Sequence, residues 1–168
     1  MAAPEEEPDR RRRFEALAAE VTEPIRRFLA RRTGADTADD VLADTLLVLW
    51  RRLDDVPVGE EALPWAYAVA RNALANAERG ARRQRRLAHR ITVTDPPREA
   101  SPEDPDPDDR VAQTLARMRP DEAELLRLWA WEQLGPTEIA TVLELSPNAV
   151  SIRLHRARGR FKEMFEKP

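Results

Sequence analysis

Apolar residues recur along this chain at steps of three and four, the spacing of one face of an α-helix. No stretch alternates convincingly at a step of two, so the pattern predicts an all-α protein. Met1 to about Pro8 reads as a disordered acidic tail. Phe14, Leu17, Val21, Ile25, Phe28 and Leu29 then form a stripe on a helix from Arg10 to about Arg32. Pro24 falls inside that stripe and predicts a kink or a split. Thr37-Ala38-Asp39-Asp40 resembles a capping box and opens a second helix to about Leu53. Its core arc is Leu42, Leu46, Leu49, Trp50 and Leu53. Asp54 to Pro64 is a loop by its prolines and glycine. A third helix runs from near Trp65 to about His89, and Ala66, Val69, Ala70, Ala73, Leu74 and Ala77 give it a side of small residues that packs closely.

The pattern lapses from Ile91 to Asp109 and resumes after it. Arg110 to Met118 carries Val111, Leu115 and Met118 at helical spacing. Asp121 to about Gln133 directs Leu125, Leu126, Leu128 and Trp129 toward a core. From Gly135 to Lys162 two short helical patterns meet at the turn Glu144-Leu145-Ser146. Pro136 and Pro147 each sit where a first helical residue tolerates proline, and Ser146 supplies a capping hydroxyl. The last helix carries Val150, Leu154, Ala157 and Phe161 on one stripe. The expected organisation is two small helical domains, residues 10–90 and 110–166, joined by a flexible, acidic, proline-rich linker at 91–109. The second domain contains a helix-turn-helix.

Charge sharpens this picture. The 168 residues carry a net −3, with 35% charged and only 5% aromatic. The average hides segregation. Ser146 to Lys162 has five basic residues and no acid, a net +5. Arg71 to Arg90 has seven arginines against Glu78, a net +6. Asp95 to Asp109 has seven acids against Arg98, a net −6, with five prolines. That composition makes an extended, self-repelling linker. Its acids would compete with DNA for the basic segments on either side. There is no cysteine, and two histidines far apart in sequence suggest no metal site. With no glycine-rich phosphate loop and no nucleophile–base pairing, neither an enzyme nor a bound cofactor is expected. Without a leader or an apolar run near 20 residues, the expectation is a cytoplasmic protein with no membrane insertion.

Three surfaces carry candidate chemistry. On the last helix, Arg153, Arg156 and Arg158 would hold phosphates, while Asn148, Ser151, Ile152 and His155 would reach base edges. The third helix combines Trp65, Tyr67, Asn72 and Asn76 with Arg71, Arg79, Arg82 and Arg83, groups that suit an unpaired nucleic-acid strand. On the second helix, at 100° per residue, Asp40, Asp44, Leu47 and Arg51 gather opposite the core. That face suits a basic helical partner, or is a solvated face with one exposed leucine. Two other functions fit parts of the pattern: a stand-alone helix-turn-helix regulator of duplex DNA, and a module whose basic helices bind an acidic protein.

Taken together, these segments resemble an extracytoplasmic-function (ECF) sigma factor, of the sigma-70 family of bacterial RNA polymerase. Asp39-Asp40-Val41-Leu42-Ala43-Asp44-Thr45-Leu46 through Trp50-Arg51-Arg52 is similar to the family's polymerase-docking helix. Pro64-Trp65-Ala66-Tyr67-Ala68-Val69-Ala70-Arg71-Asn72 is similar to its promoter-melting helix. Pro147-Asn148-Ala149-Val150 through Arg153-Leu154-His155-Arg156-Ala157-Arg158 is similar to its recognition helix. The resemblance implies that Asp40, Asp44, Leu47 and Arg51 meet core RNA polymerase at the clamp helices of the β′ subunit, with the β flap as a second contact. It implies that the loop Asp54–Pro64, together with the helix near Asn72, captures a base of the −10 element, and that the last helix reads the −35 element. It further implies an anti-sigma factor as a partner. The chain departs from the family at Ala43, where glutamine is frequent, at Ser151, where arginine is frequent, and in the acidity of the loop.

Overall fold

The computed structural model describes residues 6–89 and 107–167. Every regular element among them is helical. They are α1 (Glu6–Ala30), α2 (Ala35–Arg51), α3 (Ala62–His89), α4 (Pro107–Arg117), α5 (Pro120–Ala130), α6 (Pro136–Leu143) and α7 (Pro147–Glu166). Two short 3-10 turns, Leu53–Asp55 and Gly59–Glu61, join α2 to α3. The helices gather into two compact units, one around α1, α2 and α3 and the other around α4, α5 and α7. Most of the expected linker lies outside the described residues. Its last three residues, Pro107, Asp108 and Asp109, already belong to α4, where the acids face the positive end of the helix dipole.

In the first unit α1 packs on both α2 and α3. Val21, Ile25, Phe28 and Leu29 are fully buried. Of the kink or split expected at Pro24, the split does not occur: α1 passes through it as one helix. Buried apolar side chains on both sides of the proline offset the roughly 3 kcal/mol an interior proline costs. The helix also reaches back into the supposed tail, with Glu6, Glu7 and Pro8 in its first turn. There acids meet the dipole and a proline sacrifices no helical hydrogen bond.

The expected capping box of α2 does not form. Gly34 is the N-cap, with extended backbone and no side-chain cap, and its carbonyl accepts from the Ala38 N–H at 2.9 Å. Thr37 lies inside the first turn. The buried arc is also turned from the expected one: Ala38, Val41, Leu42, Thr45 and Leu49 are buried, while Leu46 and Trp50 are half-buried. Thr45 escapes a hydropathy pattern because it is polar; its hydroxyl donates to the Val41 carbonyl at 2.7 Å, so its burial leaves no orphan.

In the second unit α7 packs on α5 and α4. Leu128, Ile139, Val150 and Ala157 are fully buried. Helix α5 ends at Ala130 because Gln133 adopts left-handed backbone, φ 55°. That turn returns the Leu134 N–H to the Leu128 carbonyl at 3.1 Å and buries Leu134. Arg110 ties α4 to the end of α7: it donates to the Phe165 carbonyl at 3.3 Å and lies 4.7 Å from the Phe165 ring centre. Trp129 was expected in this core and is instead 39% exposed. One position on from buried Leu128, it points away from the core.

Candidate functional site

The helix-turn-helix is built from local chemistry. Glu138 accepts from the Gly135 N–H at 2.7 Å and fixes the start of α6. Glu144 ends α6 in left-handed backbone, φ 55°, and the Leu145 N–H returns to the Ala140 carbonyl at 3.0 Å. Ser146 then caps α7, its hydroxyl accepting from the Ala149 N–H at 3.1 Å. Val150, Leu154 and Ala157 face inward as the spacing predicts. Asn148, Ser151, Ile152, Arg153, His155, Arg156 and Arg158 are all exposed, on the surface left over. The Ser151 hydroxyl donates to the Pro147 carbonyl at 3.0 Å, which leaves its oxygen lone pairs outward.

The five bases of α7 are not equivalent. Arg160 donates to Glu122 of α5 at 2.7 Å. Lys162 lies 3.9 Å from Glu166. Arg153, Arg156 and Arg158 make no ion pair among the described residues. These three arginines are spread over the exposed arc of α7, with Arg153 and Arg158 at its two edges and Ile152, His155 and Arg156 between them.

On α3 the expected strand-binding set divides. Arg71, Asn72, Asn76, Arg79, Arg82 and Arg83 are exposed. Asn76 accepts a hydrogen bond from Arg79, and Arg82 lies 3.8 Å from Glu78. Trp65 is half-buried, with the Arg52 guanidinium 5.1 Å from its ring centre. Tyr67 does not belong to this surface. It is 4% exposed, its ring 5.3 Å from that of Phe28, and it is part of the seam between α1 and α3. An aromatic with a polar tip reads as a stacking group in sequence, yet here the core claims it.

On α2, Asp40, Asp44, Leu47 and Arg51 share one exposed strip, with Leu47 45% exposed. Asp44, Leu47 and Arg51 border a groove of about 580 Å³ whose other wall is Asn72, Ala73, Asn76 and Ala77 of α3. The loop before α3 borders a different cavity, of about 270 Å³, formed with Arg13, Leu17 and Glu20 of α1 and Val56–Gly59. The loop and Asn72, expected to act together on one base, thus line separate depressions. Sequence reasoning missed the α1 wall, because only tertiary contact brings Arg13 and Glu20 to the loop. Gly59 holds φ 78°, a conformation that favours glycine, and Val58 beside it is 96% exposed.

Asp54 fastens the start of this loop to α1. Arg10 and Arg13 reach its two carboxylate oxygens at 3.1 and 3.0 Å. Arg10 also donates to the Trp50 carbonyl at 2.7 Å and lies 5.1 Å from the Trp50 ring centre. The hydrogen bond from Arg13 is the largest influence on the Asp54 carboxyl; burial opposes it, and the hydrogen bond from Arg10 and the charges of both arginines tip the balance, so the carboxyl is held below its ordinary value of 3.8.

These features define an all-α DNA-binding protein, with a helix-turn-helix whose exposed face is basic and a second helical unit that carries its own arginine-rich helix. Its sequence matches the models for sigma-70 region 2, at residues 17–87, and sigma-70 region 4, at residues 108–161. It is 33% identical over 155 residues to the RNA polymerase sigma factor CarQ of Myxococcus xanthus, covering 90% of this chain and 88% of that one. It is 30% identical over 154 residues to the ECF RNA polymerase sigma factor SigL of Mycobacterium tuberculosis, covering 84% and 82%. The fold is shared with the sigma factor RpoE of Bartonella quintana, solved with the anti-sigma factor NepR, at a TM-score of 0.68 and 19% identity over 92% of this chain and 97% of that one. It is shared too with CnrH, solved with the cytosolic domain of CnrY, at a TM-score of 0.56 and 23% identity over 93% and 96%. The chain belongs to the ECF sigma factors of the sigma-70 family. It is a promoter-recognising factor that works with core RNA polymerase. No helix among the described residues is long and apolar enough to cross a membrane.

Proposed function

We propose a division of labour among named surfaces. A first domain at 10–90 docks on core RNA polymerase and opens DNA, and a second at 110–166 reads the −35 element. The docking strip is Asp40, Asp44, Leu47 and Arg51, which meets the clamp helices of β′. The strand-opening surface is Arg71, Asn72, Asn76, Arg79, Arg82 and Arg83 with the edge of Trp65; Tyr67 has no part in it. A single unpaired base of the −10 element enters the cavity between α1 and the loop Val56–Gly59. The −35 duplex lies along Asn148, Ser151, Ile152, Arg153, His155, Arg156 and Arg158, the arginines on phosphates and the N-terminal side chains on base edges. The polymerase makes the phosphodiester bond, and this chain performs no chemistry and holds no cofactor. It acts in the cytoplasm, where the polymerase and the promoter are. An anti-sigma factor, of the kind solved with RpoE, would hold it inactive by covering both domains.

The observation that carries this reading is the exposed Leu47 between Asp44 and Arg51, which are exposed as well. Leu47 also borders the groove of about 580 Å³ between α2 and α3, so the strip offers a partner an apolar contact flanked by charge. Asp44→Lys with Leu47→Arg tests it. Both positions are exposed, so the doubly substituted protein should melt as the parent does. It should fail to co-purify with core polymerase and fail to direct transcription from a genomic fragment library. Undiminished association with the polymerase rejects the docking assignment.

A further inference from the structure

Helix α5 treats two arginines of α7 in opposite ways. Glu122 meets Arg160 at 2.7 Å, and the carboxylate side chain is only 16% exposed, so that charge is neutralised in place. Seven residues along α5, Trp129 lies beneath Arg158, whose guanidinium carbon is 4.5 Å from the ring centre. A ring face attracts a cation without consuming its hydrogen-bond donors. The Arg158 donors make no hydrogen bond among the described residues. The indole thus restricts where the guanidinium sits while leaving its charge and its N–H groups available. It also explains why Trp129 stays at the surface beside the buried Leu125, Leu126 and Leu128.

We propose that Trp129 is a positioning residue for promoter binding: it holds Arg158 in the orientation that grips a phosphate of the −35 duplex. This rests on the reading of α7 as the duplex-binding helix. An arginine that is already ordered loses less side-chain entropy when a phosphate arrives. The aromatic platform lies on a different helix from the basic group it orients, so nothing in the α7 sequence reveals it.

The experiment uses holoenzyme reconstituted from core polymerase and the full chain, with a duplex promoter fragment recovered from its own transcription selection. Affinity is measured across a salt titration for Trp129→Leu, Trp129→Phe, Arg158→Lys, Arg158→Ala and the double variant Trp129→Leu/Arg158→Ala. Trp129→Leu should weaken binding by about two- to fivefold, the range a partly exposed cation–π contact supports. Trp129→Phe should recover most of it. Arg158→Lys, which keeps the charge and loses the planar fork, should resemble Trp129→Leu. The double variant should bind no worse than Arg158→Ala alone. Additive losses in the double variant would mark Trp129 as a packing residue only and overturn the proposal, as would unchanged binding by Trp129→Leu. If Arg153→Ala, Arg156→Ala and Arg158→Ala all left affinity and salt dependence untouched, the reading of α7 itself would be wrong.

Discussion

Single side chains decide how much of the basic surface is usable. Of five bases on α7, Arg160 and Lys162 already have carboxylate partners, while Arg153, Arg156 and Arg158 have none among the described residues. Each lost phosphate contact lowers the slope of log affinity against log salt by about 0.9. Arg156→Ala should therefore flatten the salt dependence of promoter binding, and Arg160→Ala should change it much less. His155→Ala should redistribute which upstream sequences are used, since each good base contact discriminates by about 1–3 kcal/mol; selection from a randomised −35 element reads this directly. Asp54 gives a pH prediction of known sign. Its carboxyl is held below its ordinary value by Arg13 and Arg10, so the ionised form is the one the fold favours. That contribution is fully present above the unfolded value and lost as pH falls through the folded one. Thermal unfolding of the parent and of Asp54→Asn should differ at neutral pH and converge as the pH drops below about 4. A gap that persists in acid removes the charge pairing as its cause.

At the scale of the element, the turn between α6 and α7 sets the aim of the DNA-reading helix. Glu144 occupies left-handed backbone, where a side chain costs about 1 kcal/mol relative to glycine. Glu144→Gly should raise the stability of the protein by roughly 0.5–1 kcal/mol, with the larger flexibility of unfolded glycine taking back part of the gain. Ser146→Ala removes the hydroxyl that accepts from the Ala149 N–H and should cost about 1 kcal/mol. Chemical denaturation of both variants checks the pair. These elements were legible because their signals are local: proline at the first helical position, a capping serine, and an apolar stripe at Val150, Leu154 and Ala157. The cap of α2 was not, because Thr37 carries the right side chain one turn too late and the backbone of Gly34 serves instead.

In the whole molecule, two units each present a basic helix, and neither surface alone is large. Joining two weak contacts through a common scaffold raises overall affinity by about 10² to 10⁴ without any new contact. The free chain should therefore bind promoter duplex at least about a hundredfold more weakly than the holoenzyme at the same salt, a difference that filter binding or anisotropy resolves. Helix number, the helix-turn-helix and the exposed Asp40–Arg51 strip followed from the sequence, because the period of 3.6 residues assigns each position to a face without reference to anything else in the chain. Which neighbour each face meets is not in that period. Tyr67 and Trp129 exchanged their expected places for this reason. Tyr67 is buried because Phe28, thirty-nine positions earlier, comes to lie against it, and Trp129, turned away from the core beside buried Leu128, meets an arginine of another helix instead. The same holds for the cavity beside the loop, whose α1 wall of Arg13, Leu17 and Glu20 exists only once α1 has packed across the start of α3. Local periodicity and capping chemistry determined the helices and their outward faces; long-range packing, which no local pattern encodes, decided which aromatic rings and arginines remain available to a partner.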